Sequence, residues 1–389
     1  MQKNDIRDLF PILKEIVYLD NSALVQKPIS VIEKSNEFYL KKCVSNRTSN
    51  SKLGNETYSF IKEVRQKIAS LIDCESDEII FTSGTTDSLN KIALMSESLI
   101  EKDDQILINL NNHSSNIAPW ITIANKKEAK IITCTQEDIF AKITSKTKIV
   151  AISQMNNAFL EKLDLKKLYK ICKEKNILLI NDAAQAIVHE KVSLKYSDVI
   201  AFSSNKFYGP TGLGILAIKK ELLNKLTPAF SGGGSIARII DKKIIYQPNI
   251  IGFESGTLNL CGIYMFNESL NFFKTIGYQK TQEIIEELSA YTFKRLKEIK
   301  TITVYNQSDS PIILFSIKNV DSQDIAYYLG TKNIYVRSGT FCVPLIKENS
   351  KINDNKESFV RISLGIYNNK NDIDKLIEAL KTGGDFLAI

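Results

Sequence analysis

Between residues 78 and 219, short apolar runs alternate with stretches of helical periodicity, and this alternation constrains the fold most strongly. The runs are rich in Ile, Leu and Val without strict apolar–polar alternation, as expected when helices cover both faces of a sheet. Strands are predicted at Glu78–Thr82, Gln105–Asn109, Lys130–Thr133, Lys148–Ser153, Ile177–Asn181, Asp198–Phe202 and Leu213–Ile218. Helices are predicted between several of them, for example over Thr86–Ser98 and Leu163–Lys175. The pattern predicts an α/β fold with a mostly parallel sheet.

The pattern changes after about residue 257, where two long helices are predicted over Ile263–Thr275 and Tyr278–Ile299. Shorter elements follow, with strands at Thr301–Tyr305, Pro311–Ser316, Ile334–Arg337 and Phe359–Leu364 and helices at Asp321–Gly330 and Asn371–Lys381. We therefore expect a large domain over residues 18–256 and a smaller α+β domain over 257–389, with segment 1–17 packed on the smaller one. A chain of 389 residues is long enough for two such domains.

Composition argues against several classes of protein. The net charge is +7, but the excess Lys is scattered, and no basic cluster alternates with aromatic residues as in nucleic-acid-binding proteins. No apolar run approaches the ~20 residues of a membrane span, and Met1–Lys14 is too polar for a signal peptide, so a cytoplasmic protein is expected. The 6 cysteines form no Cys-x-x-Cys pair, and 2 histidines are too few for a His-rich metal site. No metal is predicted.

Three polar motifs lie where predicted strands end, which is where open α/β folds bind ligands. Lys206 lies in the loop Asn205–Gly212, where a pocket could keep its amine neutral and able to form a Schiff base. Asp182 follows the strand Ile177–Asn181 and suits the protonated nitrogen of a pyridine ring. Thr82–Thr86 opens a helix whose N–H groups can bind phosphate. Taken one at a time, the lysine could equally be a surface residue, and the Asp and the Ser/Thr segment could be ordinary helix caps. Taken together, the three motifs predict a pyridoxal-phosphate site.

The same motifs belong to a longer ordered series of blocks that spans almost the whole chain. The blocks are Tyr18–Asn21, Phe81–Thr86, Asn112–Trp120, Asp182–Gln185, Lys206–Gly212, Gly232–Ser235, Phe253–Thr257, Arg337–Cys342 and Arg361–Leu364. In this order they resemble the group II (Suf-type) cysteine desulfurases of the aminotransferase class V group. The resemblance implies the type I fold of pyridoxal-phosphate-dependent transferases, with a seven-stranded sheet in the large domain. It also implies a homodimer that passes sulfur from L-cysteine to an acceptor protein for iron–sulfur cluster assembly.

The resemblance implies a role for each candidate site residue. Lys206 resembles the lysine that binds the cofactor and then removes the Cα proton, and His113 resembles the imidazole stacked on the cofactor ring. Asp182 would face the ring nitrogen, Gln185 the ring hydroxyl, and Asn157 another side of the ring. The implied phosphate ligands are Thr85, Thr86, Ser203 and, across a dimer interface, Thr257.

Cys342 decides which reaction the resemblance implies. A cysteine at this position attacks the sulfur of the substrate and leaves L-alanine and a persulfide. Arg337 lies close in sequence and would favour the thiolate, the reactive form. Arg361 and Arg337 would both bind the substrate, and the planar guanidinium of Arg361 would hold its carboxylate. From the residues alone, a buried inert thiol at Cys342 and a surface salt bridge at Arg361 stay open.

The sequence departs from the family pattern around these residues. Asn205 stands where the family usually has His before the lysine, and Thr340 and Phe341 replace two histidines before the cysteine. These departures leave two alternatives open. One is another class V enzyme, such as a selenocysteine lyase, another β-lyase or an aminotransferase. The other is a non-catalytic protein that has kept the fold.

Overall fold

A computed structural model of the chain describes residues 6–47, 51–159, 163–345 and 358–383. The strands are β1 Val17–Tyr18, β2 Ile79–Thr82, β3 Gln105–Asn109, β4 Lys130–Cys134, β5 Thr147–Ser153, β6 Leu178–Asp182, β7 Val199–Ser203, β8 Gly214–Ile218, β9 Ile236–Ile240, β10 Lys243–Tyr246, β11 Ile302–Val304, β12 Ile312–Ile317, β13 Ile334–Tyr335, β14 Arg337–Gly339 and β15 Phe359–Ser363. The helices are α1 Ile29–Glu37, α2 Lys52–Ile72, α3 Thr85–Met95, α4 Ala118–Lys127, α5 Ile139–Lys142, α6 Leu165–Glu174, α7 Ala186–His189, α8 Lys220–Leu223, α9 Leu260–Lys297, α10 Ser322–Thr331 and α11 Lys370–Thr382.

The seven strands predicted between residues 78 and 219 form one sheet in the order β2-β8-β7-β6-β5-β3-β4. Strand β8 is antiparallel to both of its neighbours, and the other pairings are parallel. Helices cover both faces, so β2, β7 and β8 are buried along their whole length. Successive residues of β2 enter different cores, with Phe81 on one face and Ile80 on the other. The predicted α/β fold with a mostly parallel seven-stranded sheet is confirmed.

Local sequence signals fix where several helices begin and end. The Ser51 hydroxyl accepts a hydrogen bond from the backbone N–H of Gly54 at the start of α2, and Asp164 caps α6 in the same way. Helix α9 contains a non-helical residue at Gly277 (φ 73°), where glycine is favoured because it has no Cβ. The break falls between the two long helices predicted on either side of it.

The C-terminal elements form a four-stranded sheet in the order β11-β12-β15-β14. The side chains of β12 alternate, so that Ile313 and Phe315 join the main core while Ile312 and Leu314 face a separate apolar cluster. One expectation is wrong here: the chain from 334 to 337 is not a single strand. It changes sheets near Val336, since β13 pairs with β1 and β14 pairs with β15.

The N-terminal segment contacts the C-terminal part of the chain. Besides the pairing of β1 with β13, the guanidinium of Arg7 lies 2.8 Å from the Asp372 carboxylate. The ring centroids of Phe10 and Tyr367 are 4.6 Å apart. These contacts are consistent with the predicted position of segment 1–17, of which residues 1–5 lie outside the described residues. The domain boundary at residue 257 stays a prediction. Residues 346–357 and 384–389 of the predicted small domain also lie outside the described residues.

A β-hairpin formed by β9 and β10 was not predicted from the sequence. Its turn residues Asp241 and Lys242 both have positive φ, 47° and 62°, as in type I′ hairpin turns. Its isoleucines are exposed: Ile239, Ile240, Ile244 and Ile245. Strands with no buried face lack the polarity pattern by which strands are recognised in a sequence.

No helix in the described residues combines the length and the apolar character needed to cross a bilayer.

Candidate active site

A cavity of about 490 Å³ opens at the carboxyl edge of the large sheet, where β2, β5, β6 and β7 end. The predicted site residues that line it are Thr85, Thr86, His113, Asn157, Asp182, Gln185, Ser203, Lys206, Arg337, Cys342 and Arg361. Thr257, the remaining candidate, does not line the cavity and is exposed. The structure therefore brings together groups from most of the chain, including the C-terminal strands.

Lys206 lies in the tight loop between β7 and β8. The loop is closely packed, since a Cβ added at Gly209 would lie 2.9 Å from both Phe266 and Ser204. The Lys206 amine donates a hydrogen bond to the Ser22 carbonyl oxygen. Burial lowers the pKa of this amine to about 8, and the positive charge of Arg361 acts in the same direction. About a tenth of the amine is therefore neutral, and nucleophilic, at pH 7, and about half is neutral at pH 8.

Asp182 is the last residue of β6 and is buried. One of its carboxylate oxygens accepts a hydrogen bond of 3.0 Å from the backbone N–H of Ala184. Burial raises the pKa of the carboxyl to about 6, although that hydrogen bond and the Lys206 cation act against the rise. A positively charged ring nitrogen beside this carboxylate would favour its ionised form.

A possible phosphate cradle is formed where β2 leads into α3. The Thr85 hydroxyl is buried at the start of this helix and has no hydrogen-bond partner among the described residues. Thr86 lies 2.7 Å, oxygen to oxygen, from the Ser115 hydroxyl. A Cβ added at Gly84 would lie 3.6 Å from the Ser203 hydroxyl, so Ser203 borders the same turn. Free N–H groups and hydroxyls at a helix N-terminus suit a phosphate.

The His113 ring is neutral at neutral pH. Burial, helped by the charges of Lys206 and Arg361, lowers the pKa of its imidazole to about 4. Its Nδ1 accepts a 3.1 Å hydrogen bond from the backbone N–H of Ser115. The proton of the neutral ring therefore lies on Nε2. A neutral, fixed imidazole in the cavity wall can lie against a flat aromatic ligand.

Arg361 is only 2% exposed, so it does not form a surface salt bridge. Its Nη2 donates a 2.7 Å hydrogen bond to the Asp20 carboxylate, and its Nη1 donates one of 3.2 Å to the Asn157 carbonyl. The third guanidinium nitrogen, Nε, is buried without a partner among the described residues. Arg337 lies on the other side of Asp20, 3.9 Å from its second oxygen. Arg361 is thus oriented with one donor available for a carboxylate.

Cys342 is exposed, which argues against a buried inert thiol, and it is the one of the 6 cysteines that lines the cavity. Its carbonyl oxygen accepts a 2.7 Å hydrogen bond from the backbone N–H of Ser114. The carbonyl of Phe341 accepts another of 2.7 Å from Asn157 Nδ2. The loop that carries the thiol is therefore attached at two points to the segments that follow β3 and β5.

Sequence reasoning assigned no role to Asp20, Ser22 or Ser115. Asp20 lies 341 positions from Arg361, so no local pattern indicates their ion pair. The Ser22 carbonyl accepts a 2.8 Å hydrogen bond from Gln185 Nε2 as well as the one from Lys206. For Asp20 and Ser115, the only available signal was membership of blocks shared with the resembling family.

Pyridoxal phosphate fits this arrangement. Four buried polar atoms of the cavity have no hydrogen-bond partner among the described residues: Ser22 Oγ, Thr85 Oγ1, Asn157 Oδ1 and Arg361 Nε. Buried polar atoms in proteins are nearly always paired, so a polar ligand is expected to contact them. A phosphate cradle, a buried carboxylate, a neutral imidazole and a lysine with a lowered pKa match the parts of this cofactor. Among the described residues, no three His, Cys, Asp or Glu side chains are grouped to hold a metal.

Residues 17–376 match the family described as aminotransferase class-V, and the chain belongs to that family. It is a pyridoxal-phosphate-dependent enzyme, as the cavity indicates, and the predicted cofactor is confirmed. Relatives within the family include a probable cysteine desulfurase of Ureaplasma parvum, 36% identical over 97% of both chains. The cysteine desulfurase of Wigglesworthia glossinidia brevipalpis is 31% identical over 98% of both.

Solved structures of the same fold include two cysteine desulfurases. The apo enzyme of Thermococcus onnurineus NA1 has a TM-score of 0.92 and 26% identity over 97% of each chain. The Escherichia coli enzyme CsdA, in an S-sulfonic acid form, also has a TM-score of 0.92, over 99% of each chain. At 24% identity, the second comparison shows the fold alone. Both agree with the predicted type I transferase fold.

Proposed function

We propose that this chain is a cysteine desulfurase that converts L-cysteine to L-alanine and carries the released sulfur as a persulfide on Cys342. The observation that carries the proposal is that an exposed thiol and a buried lysine, whose amine has a pKa lowered to about 8, line one cavity. A lysine and a cofactor site alone would suit many pyridoxal-phosphate enzymes. The cysteine in the same wall adds a nucleophile that can accept sulfur. The names of the relatives support the same activity.

The proposed roles of the cofactor-binding residues follow from their positions in the cavity. The N-terminus of α3, with Thr85, Thr86 and Ser203, would bind the phosphate. Asp182 would pair with the ring nitrogen and His113 would lie against the ring. Gln185 and Asn157 have side-chain amides at the cavity wall that suit the remaining polar edges of the ring.

The chain's own groups would then act on the substrate. When bound, pyridoxal phosphate forms an imine with an amine and acts as an electron sink for bonds broken at Cα. Lys206 would hold the cofactor covalently until the amine of cysteine replaces it. The freed Lys206 amine, neutral near pH 8, would accept the Cα proton. The Nε–H of Arg361 would bind the substrate carboxylate in an orientation fixed by Asp20.

The sulfur step needs a second nucleophile. The Cys342 thiolate would attack the sulfur of the substrate, so that an S–S bond forms as the C–S bond breaks. The electron pair of the C–S bond stays with the carbon fragment, which is protonated and leaves as alanine. In sum, cysteine and the enzyme thiol give alanine and an enzyme persulfide, with no external oxidant or reductant. Arg337, which lines the same wall, would add a second positive charge for the substrate carboxylate.

A protein acceptor would take the sulfur from the exposed Cys342 for iron–sulfur cluster assembly. This destination, the Suf-type subgroup and a cytoplasmic location rest on the resemblance and the composition. We also propose a homodimer, in which Thr257 reaches the phosphate of the partner subunit. Its exposed position outside the cavity of its own subunit supports this role, and the apolar surface of the β9–β10 hairpin offers a contact for a second copy.

Product analysis separates these possibilities. The cofactor-loaded protein, given L-cysteine and a reducing thiol, should release alanine and sulfide in equal amounts. A β-lyase would instead release pyruvate and ammonia with the sulfide, and an aminotransferase would release a keto acid without sulfide. Turnover of selenocysteine but not cysteine would indicate a selenocysteine lyase. A protein without any turnover would be the non-catalytic alternative.

A further inference from the structure

The side chains on either side of Cys342 are buried in one apolar cluster. Phe341 is 5% exposed and Val343 is 0% exposed. The buried members of the cluster are Ala158, Phe159, Ile312, Leu314, Phe341, Val343 and Phe359. They come from the chain that follows β5, from the small sheet and from the loop itself. Cys342 itself is exposed and lines the cavity wall, whereas both of its neighbours are buried in this cluster.

The backbone of this loop needs such an anchor. Phe341 and Cys342 have φ of 56° and 58°, so two consecutive residues other than glycine are left-handed. This conformation is unfavourable for residues with a Cβ and persists only where surrounding contacts impose it. The hydrogen bonds from Asn157 to the Phe341 carbonyl and from Ser114 to the Cys342 carbonyl contribute to that restraint. The largest side chain available to hold the loop is Phe341.

Phe341 also contacts the group assigned to the substrate carboxylate. The guanidinium carbon of Arg361 lies 4.9 Å from the centroid of the Phe341 ring, within the range of a cation–π interaction. Phe341 therefore links two parts of the site. Its backbone carbonyl directly precedes Cys342, and its ring lies beside Arg361, the residue proposed to bind the substrate carboxylate. This position is one of the two where the resembling family has histidines, so the chain has an apolar side chain where a polar one is usual.

We propose that Phe341 is a positioning residue that anchors the Cys342 loop and keeps the thiol turned toward a substrate held by Arg361. The proposal rests on the proposed function for its catalytic consequence. Its structural part, the orientation of the thiol, stands on the contacts of the loop alone. Removing the ring should leave the strained loop without its main apolar contact, so that the thiol turns outward for part of the time.

The test compares Phe341→Ala with the wild type, both full-length and loaded with cofactor. Each is pulsed, without cysteine, with a small alkylating agent (iodoacetamide) or a bulky one (fluorescein maleimide), and the Cys342 peptide is quantified by mass spectrometry. The bulky-to-small labelling ratio of Cys342 should rise at least fivefold in the variant. Exposed Cys43 in the same samples is the internal standard, and its ratio should not change. On addition of cysteine, the first-turnover rate of persulfide formation should fall at least tenfold.

Two further variants separate an anchor from general loss of stability. Ile312→Ala truncates the same cluster on β12, at a position that pairs with Ser363 rather than with Arg361. Both the labelling ratio and the first-turnover rate should stay within twofold of the wild type. Phe341→Leu restores an apolar anchor without the aromatic face, so the labelling ratio should return to the wild-type value. Its KM for cysteine should rise severalfold if the ring also orients Arg361.

An unchanged labelling ratio in Phe341→Ala would overturn the proposal, as would an equal effect of Ile312→Ala. If the wild type forms no persulfide with cysteine, the proposed function fails. The labelling ratio, which is measured without cysteine, still decides whether Phe341 anchors the thiol.

Discussion

At the scale of single residues, burial shifts two nitrogens of the cavity toward their neutral forms. Lys206 and His113 would both be protonated to a greater extent in water, and burial lowers the pKa of each. The two cations Lys206 and Arg361 also repel each other across the site, which adds to the effect on Lys206. A neutral lysine is the form that can bind an aldehyde and accept a proton.

The lowered pKa of Lys206 predicts how covalent loading depends on pH. In apoprotein, the rate at which pyridoxal phosphate labels Lys206 should rise about tenfold from pH 6 to pH 7, because the neutral fraction rises by that factor below the pKa. It should level off above pH 8, since the folded pKa is about 8. Borohydride quenching and peptide mapping measure the labelled fraction, and Lys206→Ala is the control. A rate that keeps rising to pH 10 would contradict the environment described here.

Single residues also show what a sequence can and cannot reveal about a site. Lys206 and Asp182 were predictable, because the chemistry of each suits a ligand and each follows a recognisable strand. Asp20 was not predictable, since its role depends on an ion pair with Arg361 that forms only after folding. The anchoring position of Phe341 was equally hidden, because the apolar cluster that holds it comes from separate parts of the chain.

At the scale of secondary-structure elements, the close approach of β8 to the turn before α3 shapes the proposed phosphate cradle. A Cβ added at Gly214 would lie 2.5 Å from both the Gly84 Cα and the Thr82 hydroxyl. Real Cβ atoms cannot come that close to backbone, so a larger residue would push the turn away from β8. The same turn carries the buried Thr85 hydroxyl.

Gly214→Ala should therefore weaken phosphate binding and stability together. We expect a loss of about 1–3 kcal/mol in the free energy of unfolding, as for other overpacked sites. The affinity for pyridoxal phosphate should fall more than that for pyridoxal, because the displaced turn contacts the phosphate. Gly330→Ala is the control: it is helical, nothing lies within 4 Å of an added Cβ, and it should not destabilise the fold. Equal losses for both ligands would rule out a cradle at this turn.

Secondary-structure elements were predictable where their burial produces a recognisable apolar pattern in the sequence. The seven strands of the large sheet lie within a residue or two of their predicted bounds, because helices on both faces make each strand a continuous apolar run. The β9–β10 hairpin has exposed isoleucines and is not covered by helices, so its strands do not stand out in this way. The single strand predicted over 334–337 failed because a change of partner sheet leaves no trace in hydrophobicity.

At the scale of the whole molecule, the proposed dimer would cover the apolar face of the hairpin. Ile239 and Ile244 are paired across its two strands and are 63% and 42% exposed. Side chains of this kind on a monomer surface commonly mark an interface when they are contiguous. The wild type should sediment as a dimer at micromolar concentration.

Replacing both isoleucines should break that dimer. The double variant Ile239→Lys with Ile244→Lys should sediment as a monomer, since it would place charges in an apolar contact. It should also lose most activity if Thr257 completes the site of the partner. Its thermal stability as a monomer should change little, because both side chains are exposed. A dimeric double variant would exclude the hairpin from the interface, and a fully active wild-type monomer would contradict the composite site.

The central claim is that Cys342 receives the sulfur of cysteine. After a brief exposure of the cofactor-loaded protein to L-cysteine, alkylation and peptide mass spectrometry should find one additional sulfur atom on the Cys342 peptide. Cys342→Ser should bind the cofactor normally, because the residues proposed to hold it are unchanged, yet gain no sulfur there and lose most alanine formation. Added sulfur on Cys43, Cys74, Cys134, Cys172 or Cys261 instead, or wild-type alanine formation by Cys342→Ser, would contradict the account.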